Sequence, residues 1–378
     1  MYGVNKVFEN YVRTDYHEHL SEFEYQLDCS LGTNPYGKSA GLEELSLLQH
    51  IDKYPEGDEK LLEAIGSYFS SSMELSPEMI GLSVGSIGAI LSLNRMFLKP
   101  GKVILGVAPQ FSAVIDDFNL YEASYLPVYL KKENRFRFSL ADFMTGLKEA
   151  GEAYVYIDNP NNPTGQIIPK SDLEKIIAAA QKNNSFVIID EAYGDYMDLS
   201  DSAADLIEKY DNLAVVRTFS KGLGAAGIRL GYVISNPHII SIYNKVNVPY
   251  AKNSMAGAVA QAVINSGWAE TWRETIIAGK QRLLASLSVI KAASTSDNVP
   301  ISLLYVDDTT IDLAAVMEQA GLKVVPCEGY QGLGKNYIRI NLNKDLELML
   351  SLLKDTEALI LKQASAAAPS NGSDPDAA

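Results

Sequence analysis

The chain reads as an α/β protein of two unequal domains, and three observations predict that class. Short, near-continuous apolar runs rich in Val and Ile alternate with longer stretches of helical periodicity. Strands of that kind belong to a mainly parallel sheet covered on both faces. The chain has 378 residues, enough for a large core and a second domain. Towards the C-terminus three further apolar runs alternate with two helical patterns, which fits a smaller α+β unit.

Residues 1–30 carry Glu9, Asp15, Glu18, Glu22, Glu24 and Asp28 among Tyr2, Phe8, Tyr11, Tyr16, Phe23 and Tyr25, and read as an arm or lid. GTNPYGKSAG (32–41) is a turn-rich break. DEKLLEAIGSYFSS, KSDLEKIIAAAQKN and DSAADLIEKY have helical spacing, while KVILGVA, AYVYID, SFVIID, LAVVRT and GYVIS read as strands. A long helical stretch is expected from near Ala251 past Trp268 towards Ala293. ISLLYVD, LKVVPC and NYIRINL supply the strands of the smaller unit. The tail ASAAAPSNGSDPDAA is small and polar and is expected to be disordered. The expected division is an arm over 1–40 that joins the small domain, a large domain over 41–250, a small domain over 251–364 and a tail over 365–378. No internal repeat is evident.

The formal net charge of −15 argues against nucleic acid as a partner, which needs clustered Lys and Arg, and disfavours an anionic membrane surface. No apolar run reaches spanning length, so no membrane partner is expected. The opening MYGVNKVFEN lacks a basic-then-apolar leader, and Cys29 and Cys327 make no disulfide framework. A cytoplasmic location is expected. Of the four histidines only His17 and His19 are neighbours; His17-Glu18-His19 reads as an exposed polar stretch, and no metal is expected.

Lys221 poses the chemical question. It stands alone among small and apolar residues in RTFSKGLGAAGIRLGY (217–232), and a lysine is rarely buried without a partner. Four loops that follow expected strands bear on it: SVGSIGA (83–89), DNPNNPTG (158–165), DEAYGDY (190–196) and TFSKGLGAAGIR (218–229). Ligands of open α/β sheets bind at the carboxyl ends of strands. Taken singly, each loop has an ordinary reading. Gly85, Ser86 and Gly88 suit a plain turn, NPNNPTG a Pro/Asn loop, Asp190 a helix cap, and Arg229 a structural ion pair. Taken together they supply a lysine, an anion cradle, an arginine and a carboxylate, the parts that hold pyridoxal 5'-phosphate (PLP). The lysine forms a Schiff base with its aldehyde, the carboxylate pairs with the ring nitrogen, and hydroxyls, arginine and a helix N-terminus take the phosphate.

NPNNPTG, DEAY and SKGLGAAGIRLGY, in this order and spacing, resemble the class I/II aminotransferases of PLP fold type I. NPYG, YPEGDEKLLEAIGSYF and YIRINL further resemble the histidinol-phosphate aminotransferase branch, and the likeness runs from about Leu31 to Leu353. The resemblance implies a large domain with a mainly parallel seven-stranded sheet between helices, a smaller α+β domain and an N-terminal arm. It implies Lys221 as the Schiff-base lysine, Asp190 on the pyridine nitrogen, and Asn162 and Tyr193 on the phenolic oxygen. Phe111 would stack on the ring. Gly85, Ser86, Ile87, Thr218, Ser220 and Arg229 would surround the phosphate. Tyr54 would reach the phosphate of a neighbouring subunit, giving a homodimer with shared sites. Arg339 would grip the α-carboxylate of an amino acid substrate, with Thr33 and Asn34 of the N-terminal motif beside it.

The branch often reads NENPYG where this chain has GTNPYG, with Thr33 in place of Glu. The acidic arm suits a cationic side chain better than a phosphorylated one. The expected activity is transfer of an amino group to a 2-oxo acid. The alternatives on the same fold are an amino acid cyclase or lyase resembling capreomycidine synthase and acting on an arginine derivative, or a decarboxylase resembling those of threonine phosphate. A transcription regulator of this fold would need a DNA-binding extension, and a nicotinamide dehydrogenase the full glycine fingerprint; neither pattern is present.

Overall fold

The structure is a computed structural model that describes residues 24–30, 32–38 and 58–367. In chain order its elements are β1 (Leu27–Asp28), α1 (Glu59–Phe69), β2 (Ile80–Ser83), α2 (Gly85–Phe97), β3 (Val103–Ala108), α3 (Ser112–Leu120), β4 (Ser124–Tyr129), α4 (Leu140–Ala150) and β5 (Tyr154–Asp158). They continue with α5 (Lys170–Lys182), β6 (Phe186–Asp190), β7 (Leu213–Thr218), β8 (Gly231–Ser235), α6 (Pro237–Val246), α7 (Ser254–Ile264) and α8 (Trp268–Ser286). The last are β9 (Lys291–Ala292), β10 (Ile301–Tyr305), α9 (Leu313–Gln319), β11 (Leu322–Lys323), β12 (Val325–Pro326), β13 (Tyr337–Asn341) and α10 (Leu346–Ala367).

Seven strands form the central sheet in the order β2-β8-β7-β6-β5-β3-β4. β4, β3, β5, β6 and β7 run parallel, and β8 runs antiparallel to both its neighbours. The central strands are buried on both faces, and the period of two sorts their side chains between two cores. Val155, Ile157, Val187, Ile189 and Val215 join one apolar cluster with α1, α4, α5 and α7. Tyr154, Tyr156, Ile188, Ala214 and Val216 join another with α2 and α3. α1 shows the matching helical logic: Leu61, Ile65 and Phe69 fall on one buried stripe. A third cluster, built from β10, β13, α8, α9 and α10, is the core of the smaller unit around the β12-β13-β10-β9 sheet. β1 pairs in parallel with β11, tying the segment before Gly32 to that unit.

Several expectations from the sequence are corrected. The long helix after Ala251 is two helices, because Gly267 adopts φ +64° and ends the register between α7 and α8. α7 packs its Val259, Ala260 and Val263 into the large-domain cluster, although the expected boundary placed it in the small domain. DSAADLIEKY forms only a short 3-10 turn at Ala204–Glu208. LKVVPC divides into two two-residue strands. Residues 365–367, expected in the tail, continue α10. β4 was not anticipated, since Pro127 interrupts its pattern, while the strand expected before SVGSIGA is β2. Most of the arm and of the expected tail lies outside the described residues. No helix among the described residues is long and apolar enough to cross a membrane.

Candidate active site

β3, β5, β6 and β7 all end at the same edge of the sheet, at Ala108, Asp158, Asp190 and Thr218. Their loops and the first turn of α2 enclose a cavity of about 340 Å³ lined by Ser86, Phe111, Asn162, Asp190, Lys221 and Arg229, among others.

One end of the cavity is built for an anion. Gly85 opens α2 with φ +67°, and a Cβ there would come within 2.8 Å of Arg229 Nη2. Glycine therefore lets the guanidinium lie against the first helical turn. Gly231 is required for the same close approach, since its Cβ would meet Ser86 N at 2.7 Å. The first turn of a helix has unpaired N–H groups and a partial positive charge. Arg229, itself left-handed at φ +53°, donates from Nη1 to Ser220 Oγ (3.3 Å) and the Ala226 carbonyl (2.9 Å). Thr218 Oγ1 lies 3.0 Å from Ser220 Oγ and accepts from Ser220 N–H at 3.2 Å. Ser86, Ile87, Thr218, Ser220 and Arg229 all line the cavity, and Gly85 lies beside Arg229 Nη2.

The other end holds two buried carboxyls side by side, because Asp158 of β5 and Asp190 of β6 are in register. Asp190 Oδ2 accepts from Tyr156 Oη at 2.6 Å, and Oδ1 from Ala192 N–H at 3.0 Å. Burial pushes its pKa up to about 6 against these donors and the nearby Lys221 charge. Asp158 accepts from Asn161 Nδ2 and Asn162 N–H, each at 2.9 Å, and burial pushes it up to about 7. Lys221 extends over the Tyr193 ring, its Nζ 5.5 Å from the ring centroid. Tyr193 Oη is buried and has no hydrogen-bond partner among the described residues.

Arg339 of β13 is only 1% exposed and reaches the cavity-lining Asn162. Its Nη1 donates to Asn162 Oδ1 (3.1 Å) and its Nη2 to the Ser30 carbonyl (2.7 Å). The N-terminal motif differs from expectation. Asn34 does not line the cavity: its Nδ2 donates to the Gly222 carbonyl (2.9 Å) and its Oδ1 accepts from Tyr36 N–H (2.9 Å), so it pins the loop after Lys221. Thr33 contributes its carbonyl to Asn341 Nδ2 at 3.4 Å. Tyr54 lies outside the described residues.

Sequence reasoning missed three features. Asp158 ends an apolar strand just as Asp190 does, and that signal was present. Tyr156 gave none. Gly32 gave none either: a Cβ there would overlap Tyr193 Oη and lie 3.5 Å from Lys221 Nζ. Gly32→Ala is therefore expected to displace Tyr193 or Lys221 and lower turnover by about 10²-fold, the effect of a misplacement near 1 Å. Steady-state rates check this, with an unchanged melting temperature showing that the fold survives.

The buried carboxyls also set a pH dependence. Asp158, Asp190 and Asp195 have raised pKa values, chiefly through burial, so the folded chain holds protons that the unfolded chain releases above about pH 4. Their contribution to stability is full below that pH and is lost as pH rises through 6 to 7. Guanidinium unfolding of the cofactor-free protein should show its midpoint falling from pH 5 to pH 8, and less steeply in Asp158→Asn.

The donor set fits PLP: an N-terminal helical turn with arginine and hydroxyls for a phosphate, a buried carboxylate for a ring nitrogen, the unpartnered Tyr193 hydroxyl for a ring oxygen, and a lysine within the same cavity. Among the described residues no cluster of His, Cys, Asp and Glu could hold a metal.

The sequence matches the family described as "Aminotransferase class I and II" over residues 20–354. It is 35% identical over 241 residues to a histidinol-phosphate aminotransferase of Haloquadratum walsbyi, an alignment covering 63% of this chain and 62% of that protein. It is 29% identical over 293 residues to one from Thermoanaerobacter pseudethanolicus, covering 75% and 80%. The fold superposes on an aspartate aminotransferase variant of Thermus thermophilus with TM-score 0.82 at 19% identity, covering 95% of this chain and 100% of that one. It superposes on a histidinol-phosphate aminotransferase of Sinorhizobium meliloti, solved with PLP, with TM-score 0.77 at 17% identity, covering 95% and 99%. With the cavity chemistry and a family match over most of its length, the chain belongs to the class I and II aminotransferases, PLP-dependent transferases of fold type I.

Proposed function

We propose that this protein moves an amino group from an amino acid or amino-acid-like amine to a 2-oxo acid, with donor and acceptor taking turns at one site. The observation that carries the reading is the placement of Lys221 Nζ beside Tyr193 and Gly32, in the cavity lined by Asn162, whose Oδ1 accepts from Arg339. PLP, when bound, supplies an aldehyde to bond the amine and a ring that accepts electrons from the substrate Cα.

Every other part of the chemistry belongs to the chain. Arg229, Ser220, Thr218 and the first turn of α2 anchor the phosphate, while Phe111 covers the ring. Asp190, held by Tyr156 and Ala192 N–H, presents a negative charge to the ring nitrogen. Tyr193 Oη and Asn162 address the phenolic oxygen. Lys221 Nζ would be the base that takes the substrate Cα proton and returns it. Arg339 orients the substrate through its anionic group, since a guanidinium fork accepts carboxylate or phosphate in a bidentate pair.

Two amines deserve the first assay. The names of the similar proteins point to histidinol phosphate, and the acidic residues of 1–30 point to arginine or a derivative. Incubating the purified enzyme with each and weighing the products tests the reading. Conversion of bound PLP to pyridoxamine phosphate supports it, whereas loss of CO₂ or ring closure would replace aminotransfer by decarboxylation or cyclisation.

The same proposal includes a cytoplasmic homodimer whose sites are shared through Tyr54. Mixing inactive Tyr54→Ala chains with inactive Lys221→Ala chains should restore up to one working site per mixed dimer. Demonstrated heterodimers without recovered turnover would count against sharing.

A further inference from the structure

Asp158 is the cavity-lining carboxyl that the proposed chemistry does not use. It is buried, and it stands one strand over from Asp190. Its two oxygens are committed to the loop that follows: Oδ1 to Asn161 Nδ2 and Oδ2 to the Asn162 N–H. Asn161 is itself fixed, donating also to the Pro109 carbonyl (3.1 Å) and accepting from Thr164 Oγ1 (2.6 Å). The loop therefore has little freedom except at Asn162, whose backbone is held by Asp158. The Asn162 side chain takes Arg339 Nη1 on Oδ1, where Tyr330 Oη also donates at 3.4 Å. An amide whose oxygen is occupied by a guanidinium and a phenol must turn its Nδ2 donor elsewhere, and Asn162 lines the cavity.

We propose that Asp158 is a positioning residue, which through the Asn162 N–H aims the Asn162 amide at once towards the phenolic oxygen of the cofactor and towards Arg339. One side chain thereby fixes two successive residues of the loop, Oδ1 taking Asn161 Nδ2 and Oδ2 the Asn162 N–H. The chain Asp158–Asn162–Arg339 would join the cofactor floor to the substrate roof, so that one loop conformation sets both.

This inference rests on the PLP reading above, and the test separates the two. The dissociation constant of PLP from the apoprotein would be measured by absorbance for the wild type, Asp158→Ala, Asn162→Ala and the double variant, together with the pH midpoint of the bound cofactor's absorbance. Each single variant should weaken PLP by about tenfold, the worth of one hydrogen bond to a charged group. The double variant should be no weaker than Asn162→Ala alone, and the pH midpoint should move the same way in both singles. Additive losses, or an Asp158→Ala midpoint equal to that of the wild type, overturn the positioning role and leave Asp158 as a loop-stabilising group only. If Asp158→Ala does not fold, Asp158→Asn runs through the same cycle. It keeps the side-chain shape and one acceptor, and a loss that persists undiminished in the Asn162→Ala background overturns the proposal equally. A wild-type protein that binds no PLP would instead overturn the cofactor reading, and this inference with it.

Discussion

Lys221→Ala is expected to abolish turnover while leaving a folded protein. The side chain lies in a cavity and not in any of the three apolar clusters, so its loss removes no core packing. On the proposed reading, what is lost is the amine that would bond the cofactor and carry the Cα proton. Both roles need a nucleophilic nitrogen at that point, and no other lysine among the described residues lines the cavity. Borohydride treatment followed by peptide mass measurement is the direct check: the wild type should carry a cofactor fixed on the peptide containing residue 221, and the variant none. A fixed adduct elsewhere in the variant would remove Lys221 from its assigned role.

Asp190→Asn is expected to have the next largest effect, a fall in turnover of about 10²- to 10³-fold, the magnitude typical for removal of a preorganised electrostatic group. The amide keeps the size of the side chain and offers one acceptor to Tyr156 or Ala192 N–H, so the site is preserved in shape. It cannot hold a negative charge against a protonated ring nitrogen. Burial opposes the charge of Asp190 and pushes its pKa up to about 6. A cationic ring nitrogen beside it reverses that balance, so the wild type should hold cofactor less well as pH falls through 6, and the variant should lack this dependence. Turnover within a few-fold of wild type would show that Asp190 serves only the structure.

The two effects are of different kinds. Lys221 sits on a loop whose conformation is imposed by neighbours. Asn34 holds the Gly222 carbonyl, and Asp195 packs on Gly222. Beneath it Arg217 is buried and pairs with Glu191 at 2.8 Å and Asp195 at 3.0 Å. These pairs bind the turn carrying Tyr193 to the end of β7. Burial of such a network is costly unless every partner stays in place, which holds the turns carrying Tyr193 and Lys221 in one relative position.

The sequence by itself determined most strands of the central sheet, since Val- and Ile-rich runs between helical patterns suit a sheet covered on both faces. It also pointed to the PLP-dependent family. Lys221, Asp190 and Arg229 are conspicuous because each is a charge next to apolar residues, and their loops all follow strands. What it left open was decided by contacts between residues far apart in the chain. Arg339 meets Asn162 across 177 positions, and Asn34 meets Gly222 across 188. Such pairs leave no trace in local periodicity. Asp158 and Asp190 become neighbours only through the register of β5 against β6, and Gly32 matters only because the chain passes directly over Tyr193 and Lys221. Local spacing tells which face of an element is apolar. The order in which parallel strands are laid side by side decides which polar ends meet, and that order is set by packing of the whole sheet.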